Sequence, residues 1–246
     1  MASRGTFALK RDIVTVCRRL YERGLIAGPD GNVSVRIAPD RVLVTPAGMA
    51  KVDVKADDLI EMTLDGRQVR GQTRASSEVL MHLRIYQRRP DVHAVVHAHP
   101  PTATAFSVAG ESLAECVLPE LIFQVGWVPL LPYATPGTAA LADAFEPFVA
   151  QHDAFLLANH GATTIGPTLA AAHQRMESLE HSARILLTAR LLGRVNTLTP
   201  AQVEALVQAR ERARAGIEVS RMSGSARALG VGLTRETHDE QRYESD

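Results

Sequence analysis

The stretch VHAVVHAHP, Val92–Pro100, is the key to the fold of this 246-residue chain, because its side chains alternate residue by residue. Such alternation predicts a β-strand, in which residues two positions apart point to the same face of the sheet. His97 and His99 then share a face and lie about 7 Å apart along the backbone, at roughly 3.3 Å of rise per residue. Two imidazoles at this spacing can bind one metal ion, although two surface histidines on an edge strand give the same pattern.

A third histidine stands far downstream, in Asn159-His160-Gly161, directly after the short apolar run 154–158. Three histidines that leave a fourth position open are typical of a catalytic zinc site, whereas structural zinc sites are closed by four protein ligands. Because a histidine pair alone is a weak indication of metal binding, the prediction depends on the motifs that surround these residues.

The composition is that of an ordinary globular protein, with 46% hydrophobic and 22% charged residues. Its length suits one large domain better than two. The chain has 27 basic and 27 acidic residues and a formal net charge of zero. It therefore lacks the basic surface that would predict binding to nucleic acid or to an anionic membrane.

The cysteines and the N-terminal sequence bear on the cellular compartment. Cys17 and Cys116 are too few for a zinc ribbon and indicate a reducing environment. The N-terminal sequence MASRGTFALKRD lacks the apolar segment of a signal peptide. No apolar run approaches the ~20 residues that span a bilayer. Together these features predict a cytoplasmic protein.

Helix and strand patterns interleave along the chain, which predicts an α/β protein with a mixed sheet flanked by helices. Ser77 is interpreted as an N-cap, as is Thr138, and residues 199–202 read as a capping box. The periodicity predicts helices over residues 9–23, 77–88, 101–109, 138–151 and 168–192, and short strands over 31–37, 42–45, 92–100, 127–131 and 154–158.

The pattern weakens near the C-terminus. We predict a single domain over residues 1–216, followed by a polar tail over residues 217–246 that is rich in serine and arginine. Such a tail has no core of its own, so it is either disordered or ordered against a neighbouring subunit.

Three short motifs, GNVSVR at 31–36, TPAG at 45–48 and SSE at 76–78, offer hydrogen-bond donors to an anion. The first two are tight turns with backbone N–H groups, and the third opens a helix whose dipole favours negative charge. Each motif is also common as plain structure, since Glu78 is an ordinary first-turn residue of a helix. The candidate donors are Gly31, Asn32, Gly48, Ser76 and Ser77.

The order and spacing of these motifs resemble the class II aldolase/adducin family, most closely its L-fuculose-phosphate aldolase branch. The resemblance covers about residues 9–195. It implies a three-layer α/β/α fold with a central mixed, largely antiparallel sheet. The matching segments are GNVSVR at 31–36, VTPAG at 44–48, SSE at 76–78, VVHAHP at 95–100, PYATPGT at 132–138 and NHG at 159–161.

The resemblance also implies roles for individual residues. His97, His99 and His160 correspond to the ligands of Zn²⁺, or of another divalent metal such as Mn²⁺ or Co²⁺. Glu78 corresponds to the general acid/base, which can also ligate the resting metal. The family further implies a tetramer with active sites between subunits. The phosphate cradle is formed by Gly31, Asn32, Gly48, Ser76 and Ser77.

The function expected from this resemblance is that of a zinc-dependent aldolase, a lyase. It would reversibly cleave a ketose 1-phosphate into dihydroxyacetone phosphate and an aldehyde, through an enediolate whose charge the metal stabilises. A metal-dependent decarboxylase of a hydroxylated aromatic or sugar-derived acid is the alternative. A sugar-phosphate dehydratase or epimerase is less favoured, since epimerases of the family have aspartate where this chain has Glu78. Adducin-like scaffolds lack the three histidines that are present here.

The chain departs from the aldolase pattern at two places. Ala47 stands where the family usually has threonine or serine, which removes one hydroxyl from the phosphate cradle. The tyrosine that donates a proton in the fuculose enzyme has no clear counterpart, and Glu120 or Tyr243 could substitute for it. A further histidine, His82, is interpreted as a residue on the surface of its helix.

Overall fold

The computed structural model describes residues 5–113, 115 and 117–228. In this part of the chain eight strands form one sheet in the order β4-β3-β2-β1-β5-β8-β7-β6. Only β6 and β7 pair in parallel, so the predicted mixed, largely antiparallel sheet is confirmed. The strands are β1 (Asn32–Ala38), β2 (Arg41–Val44), β3 (Ile60–Thr63), β4 (Gln68–Arg70), β5 (Ala94–Ala98), β6 (Leu130–Leu131), β7 (Ala154–Leu157) and β8 (Gly161–Gly166).

Helices cover both faces of the sheet, as the three-layer prediction requires. Apolar residues of α1, α3 and α5 pack on one face, and those of α2 and α4 pack on the other. None of the described helices is long and apolar enough to cross a membrane. The helices are α1 (Thr6–Glu22), α2 (Val79–Arg88), α3 (Pro101–Val108), α4 (Ala139–Asp143), α5 (Leu169–Leu191) and α6 (Pro200–Ala228).

The histidine strand β5 lies near the middle of the sheet, between β1 and β8. Val96 packs into the core beneath α1 and α5, while Val95 packs into the core beneath α2. His97 is two residues from Val95 and therefore points to the α2 side. It pairs with Asn32 of β1 and with Thr163 of β8. The register thus places a histidine, an asparagine and the start of α2 on one face.

Several predicted boundaries were wrong, and prolines explain two of them. The predicted helix over residues 138–151 is helical only over α4, since Pro147 has no N–H to donate and its ring obstructs the preceding turn. Pro129 likewise reduces the strand expected over 127–131 to β6. Helix α2 begins at Val79, so its N-cap is Glu78 and not Ser77. The sequence reading missed β3, β4 and β8 altogether.

The predicted division at residue 216 falls within helix α6. Residues 5–210 lie in one compact unit that holds every described strand and helices α1–α5. Helix α6 continues through residue 216 to Ala228, because alanine and arginine keep a high helix propensity where the apolar periodicity fades. The capping box at its start is confirmed, since Thr199 and Gln202 exchange backbone-to-side-chain hydrogen bonds of 2.9 and 3.4 Å. Tyr243 lies outside the described residues.

Candidate metal centre and active site

The three predicted histidines come together at one end of the sheet. His97 is the next-to-last residue of β5, His99 directly follows the strand, and His160 lies in the turn between β7 and β8. Their rings are 4.8–5.1 Å apart between centroids, and one nitrogen of each lies within 4.8 Å of the other two. This is a ligand set that can bind one metal ion.

The hydrogen bonds of the imidazoles favour a cation between them. His97 donates from Nδ1 to the carbonyl of Ala162 at 2.9 Å, which leaves a lone pair on Nε2. His99 has its Nδ1 3.5 Å from a carboxylate oxygen of Asp30, and its Nε2 lies 3.1 Å from that of His97. Burial lowers the pKa of His97 to about 3, so the ring is neutral, as a metal ligand must be. Two facing lone pairs fit a bound divalent metal.

The backbone around His160 explains why a glycine follows it. A Cβ at Gly161 would stand 2.6 Å from the carbonyl oxygen of Ala98 and 2.6 Å from the ring of His99. Asn159 has a φ of 55°, the left-handed conformation that asparagine tolerates better than most residues. The Asn-His-Gly sequence therefore allows the turn to approach β5 closely enough for the rings to converge.

Glu78 occupies the N-cap position of α2, but its side chain turns toward the histidines. Its two carboxylate oxygens lie 3.3 Å from Nε2 of His97 and 3.0 Å from Nε2 of His160. Asn32 donates to Oε2 at 2.7 Å. Burial opposes ionisation of Glu78, but the histidines and Asn32 outweigh it and hold its pKa well below the ordinary range. The buried Oε1 is close to His160 but does not have the geometry of a hydrogen bond, which again fits a cation at this point.

His82 is buried, so the prediction of a surface residue was wrong. Its Nε2 contacts Oδ1 of Asn32, and its Nδ1 lies 2.7 Å from the hydroxyl of Ser34, which lies 2.9 Å from that of Tyr86. One proton assignment satisfies the chain: Tyr86 donates to Ser34, Ser34 to His82, His82 to Asn32, and Asn32 to Glu78. The spacing 78, 82, 86 on one helix face could have revealed this relation.

The residues of the predicted phosphate cradle line the same cavity, which has a volume of about 340 Å³. Gly31 and Gly48 have φ angles of 70° and 68°, and a Cβ at Gly31 would stand 2.8 Å from the carbonyl oxygen of His97. The amide of Ala47, expected to be exposed, instead donates to the carbonyl of Arg74 at 2.9 Å. The cavity also contains the other three cradle residues and the candidate catalytic groups, namely Asn32, Ser76, Ser77, Glu78, His99 and His160.

Comparison with known proteins agrees with this geometry. Residues 11–187 match the family described as Class II Aldolase and Adducin N-terminal domain. The chain belongs to the class II aldolase/adducin family. It is 33% identical to 3-oxo-tetronate 4-phosphate decarboxylase of Haemophilus influenzae over 204 residues, 81% of this chain and 96% of that protein. It is 34% identical to L-fuculose phosphate aldolase of Methanocaldococcus jannaschii over 181 residues, 72% of this chain and 95% of that one.

The fold comparison gives the same family. A solved structure of L-fuculose 1-phosphate aldolase superposes with a TM-score of 0.78 at 30% identity, covering 86% of this chain and 98% of that one. Relatives named as decarboxylases and as aldolases thus stand at similar distances from this member of the class II aldolase/adducin family.

Two residues of this family member's cavity escaped the sequence reading. Asp30 precedes the Gly31 turn and faces His99. Lys51 lines the cavity beside Gly48 and is 2% exposed. The sequence contains a signal for Lys51, because it is a lysine that closely follows the glycine turn at Gly48. Of the proposed proton donors, Glu120 is exposed and outside the cavity lining, and Tyr243 lies beyond the described residues.

Proposed function

We propose that this protein is a metal-dependent lyase acting on a phosphorylated, sugar-derived ketone, in which it breaks the bond between the carbon next to the ketone and the following carbon. One observation carries the proposal. Glu78 lies within hydrogen-bonding range of two of the three converging histidines, in a cavity that also presents the phosphate cradle. Metal ligands, an acid/base and an anion site are the three parts that this chemistry needs.

The candidate metal ligands fit Zn²⁺, and also Mn²⁺ or Co²⁺, because imidazole nitrogen binds all three. A divalent metal at His97, His99 and His160 would polarise the ketone and stabilise the negative charge that develops on its oxygen. Asn32 holds the carboxylate of Glu78 in place through its amide hydrogen bond. Ser76, Ser77 and the turn glycines would hold the phosphate and so fix the reacting carbon near Glu78.

Decarboxylation of a 3-oxo acid phosphate, such as 3-oxo-tetronate 4-phosphate, is the reaction that these residues support best. Loss of carbon dioxide leaves an electron pair on the carbon next to the ketone, as an enediolate. One proton then adds to that carbon and gives dihydroxyacetone phosphate. Asp30 faces Nδ1 of His99, whereas among the described residues Glu78 is the one carboxylate that contacts Nε2 of His97 and of His160. This single group suffices for a reaction with one proton transfer to carbon.

Aldol cleavage of a ketose 1-phosphate is the second candidate, and it is supported by relatives such as the aldolase of Methanocaldococcus jannaschii. It forms the same enediolate, but the hydroxyl on the departing carbon must also lose a proton. A second acid/base group is therefore needed. Tyr243 of a neighbouring subunit remains our candidate for that role.

Both reactions share the protonation of the enediolate, which can be tested in reverse without knowledge of the full substrate. We expect the purified metal-loaded protein to exchange a carbon-bound hydrogen of dihydroxyacetone phosphate for deuterium in D₂O, as followed by NMR. Because Glu78 is ionised at rest, it can remove that hydrogen directly. The absence of exchange would refute the proposed function.

The two candidates are then separated by their products. The protein should be incubated with 3-oxo-tetronate 4-phosphate and with a panel of ketose 1-phosphates, and carbon dioxide, aldehyde and dihydroxyacetone phosphate should be measured. Release of carbon dioxide from the first substrate would support decarboxylation. Formation of an aldehyde from a ketose phosphate, with no release of carbon dioxide from the first substrate, would support aldol cleavage instead.

A further inference from the structure

Lys51 is a buried cation in the wall of the cavity. It is 2% exposed, and its backbone lies three residues after Gly48 of the phosphate cradle. Among the described residues that line the cavity it is the only lysine or arginine. A lysine is almost never buried to this extent unless its charge has a partner.

The ammonium group is anchored beside the two cradle turns. It donates to the carbonyl of Pro29 at 2.7 Å and to that of Met49 at 3.0 Å. Those carbonyls belong to the turns that contain Gly31 and Gly48. An ammonium has three N–H donors, so the two carbonyls leave one donor over. Among the described residues no carboxylate forms a salt bridge with it, so two neutral carbonyls hold a full positive charge.

Burial lowers the pKa of Lys51, and the negative groups nearby, Cys17, Asp30 and Glu78, only oppose that shift. Cys17 supplies no charge at neutral pH, because burial raises its pKa to about 12. Asp30 and Glu78 favour the charged form of Lys51 from nearby, but among the described residues no carboxylate forms an ion pair with it. A phosphate dianion on the cradle would pair with the ammonium group directly.

We propose that Lys51 is the residue that makes the cavity specific for a phosphorylated substrate, by pairing its ammonium with the phosphate held between the turns at Gly31 and Gly48. Amides and hydroxyls bind carboxylates and phosphates alike, whereas a second negative charge gains most from a fixed cation. Lys51 also compensates for the hydroxyl that Ala47 lacks. The proposal rests on the proposed function, since it names the group of that same site which recognises the phosphate.

A structural role would make different predictions. If Lys51 only tied the two turns together, its loss would weaken the binding of charged and neutral ligands alike. The charge can be removed in two ways. Lys51→Met keeps the length of the side chain but removes all donors, and Lys51→Gln keeps donors for the carbonyls without the charge. Lys55→Met, an exposed lysine of the same segment, removes the same charge away from the cavity and is the matched control.

The experiment measures the dissociation constants of inorganic phosphate and dihydroxyacetone phosphate by calorimetry, and of unphosphorylated dihydroxyacetone by competition. We expect Lys51→Met and Lys51→Gln to weaken the binding of inorganic phosphate and of dihydroxyacetone phosphate on the order of 10- to 100-fold, because each variant loses a charge-assisted hydrogen bond. Unphosphorylated dihydroxyacetone and the metal content should change less than about twofold, and Lys55→Met should match the wild type.

Three outcomes would overturn the proposal, and they are distinguishable. Wild-type affinity for phosphate in both Lys51 variants would refute the role of Lys51 while leaving the lyase function intact. Equal weakening of the binding of dihydroxyacetone and of dihydroxyacetone phosphate would show that Lys51 only connects the two turns and does not recognise the phosphate. Failure of the wild type to bind either phosphate, with turnover of an unphosphorylated acid, would refute both the role of Lys51 and the phosphorylated substrate.

Discussion

The candidate metal centre and the proposed phosphate cradle of this protein are built in different ways. The metal centre stands on paired strands: His97 lies within β5, and His160 lies in the tight turn before β8. The cradle is made of three separate turns, held by positive-φ glycines, backbone hydrogen bonds and the buried Lys51. Strand pairing fixes side chains by register, whereas turns fix backbone donors by local conformation. The two regions should therefore respond to different substitutions.

The largest effect is expected at the metal centre. His97→Ala should lower zinc affinity by more than the ~10–100-fold that loss of an outer partner of a ligand costs, and should abolish deuterium exchange into dihydroxyacetone phosphate. Binding of inorganic phosphate to the cradle should persist. His93→Ala, an exposed histidine near the start of the same strand, is the control. Undiminished zinc content in His97→Ala would show that the three histidines are not the ligands.

The next effect concerns the acid/base. Glu78→Gln keeps the hydrogen-bonding shape of the side chain but removes its ability to accept a proton from carbon. We expect exchange and turnover to fall ~10²–10⁴-fold, with retention of the fold by circular dichroism. Activity close to that of wild type would show that Glu78 is only the N-cap of α2.

The glycines of the two regions allow a direct comparison. Gly161→Ala places a Cβ 2.6 Å from the ring of His99, so we expect a loss of about 1–3 kcal/mol in stability together with weaker metal binding. Gly48→Ala meets open space but keeps a φ of 68°, so it should cost about 1–2 kcal/mol and weaken phosphate binding instead. Thermal unfolding and calorimetry with each ligand test the pair. If both variants lost the same amounts of metal affinity and phosphate affinity, the separation of the two regions would be contradicted.

The sequence predicted much of the metal centre and less of the cradle, for a physical reason. Strand alternation in 92–100 placed His97 and His99 on one face without knowledge of the rest of the fold. The burial of Lys51 depends on a segment distant in sequence, at Pro29, and no local periodicity encodes it. For His82 the helical spacing from Glu78 was present in the sequence, but its partner Ser34 is distant. The roles of Glu78 and of the cradle came from family resemblance and not from spacing.

A stability effect that depends on pH is expected from protonation of His82, which lies behind the candidate metal centre. Burial lowers its pKa from the ordinary 6.5 to about 4. Between these pH values His82 is therefore protonated in the unfolded chain and neutral in the folded protein. The contribution of neutral His82 to the free energy of unfolding is fully present above pH 6.5, and it falls by about 1.4 kcal/mol per pH unit down to pH 4. Glu78 and Tyr86 are the ionisable groups nearest to it along its hydrogen-bonded chain.

His82→Gln removes this titration while keeping a side chain that can hydrogen-bond to Asn32. The variant should be less stable at neutral pH, yet its free energy of unfolding should decline less steeply between pH 6.5 and pH 4. Chemical denaturation at several pH values, in metal-loaded protein so that His97 stays neutral, measures both slopes. Parallel slopes would show that His82 is already protonated in the fold.

Tyr243→Phe should have no effect on the protonation of the enediolate, the step that both candidate reactions share. The variant therefore tests whether a group outside the candidate metal centre and the cradle supplies the second acid/base. If a neighbouring subunit supplies this phenol, the protein is an oligomer, which we expect light scattering to report as a tetramer. Deuterium exchange into dihydroxyacetone phosphate needs only Glu78 and the metal ligands, so it should stay within about twofold of wild type. Aldol cleavage, if the protein performs it, should fall ~10²-fold or more through loss of an acid/base. An active monomer, or equal loss of both activities, would exclude a proton donor from a second subunit.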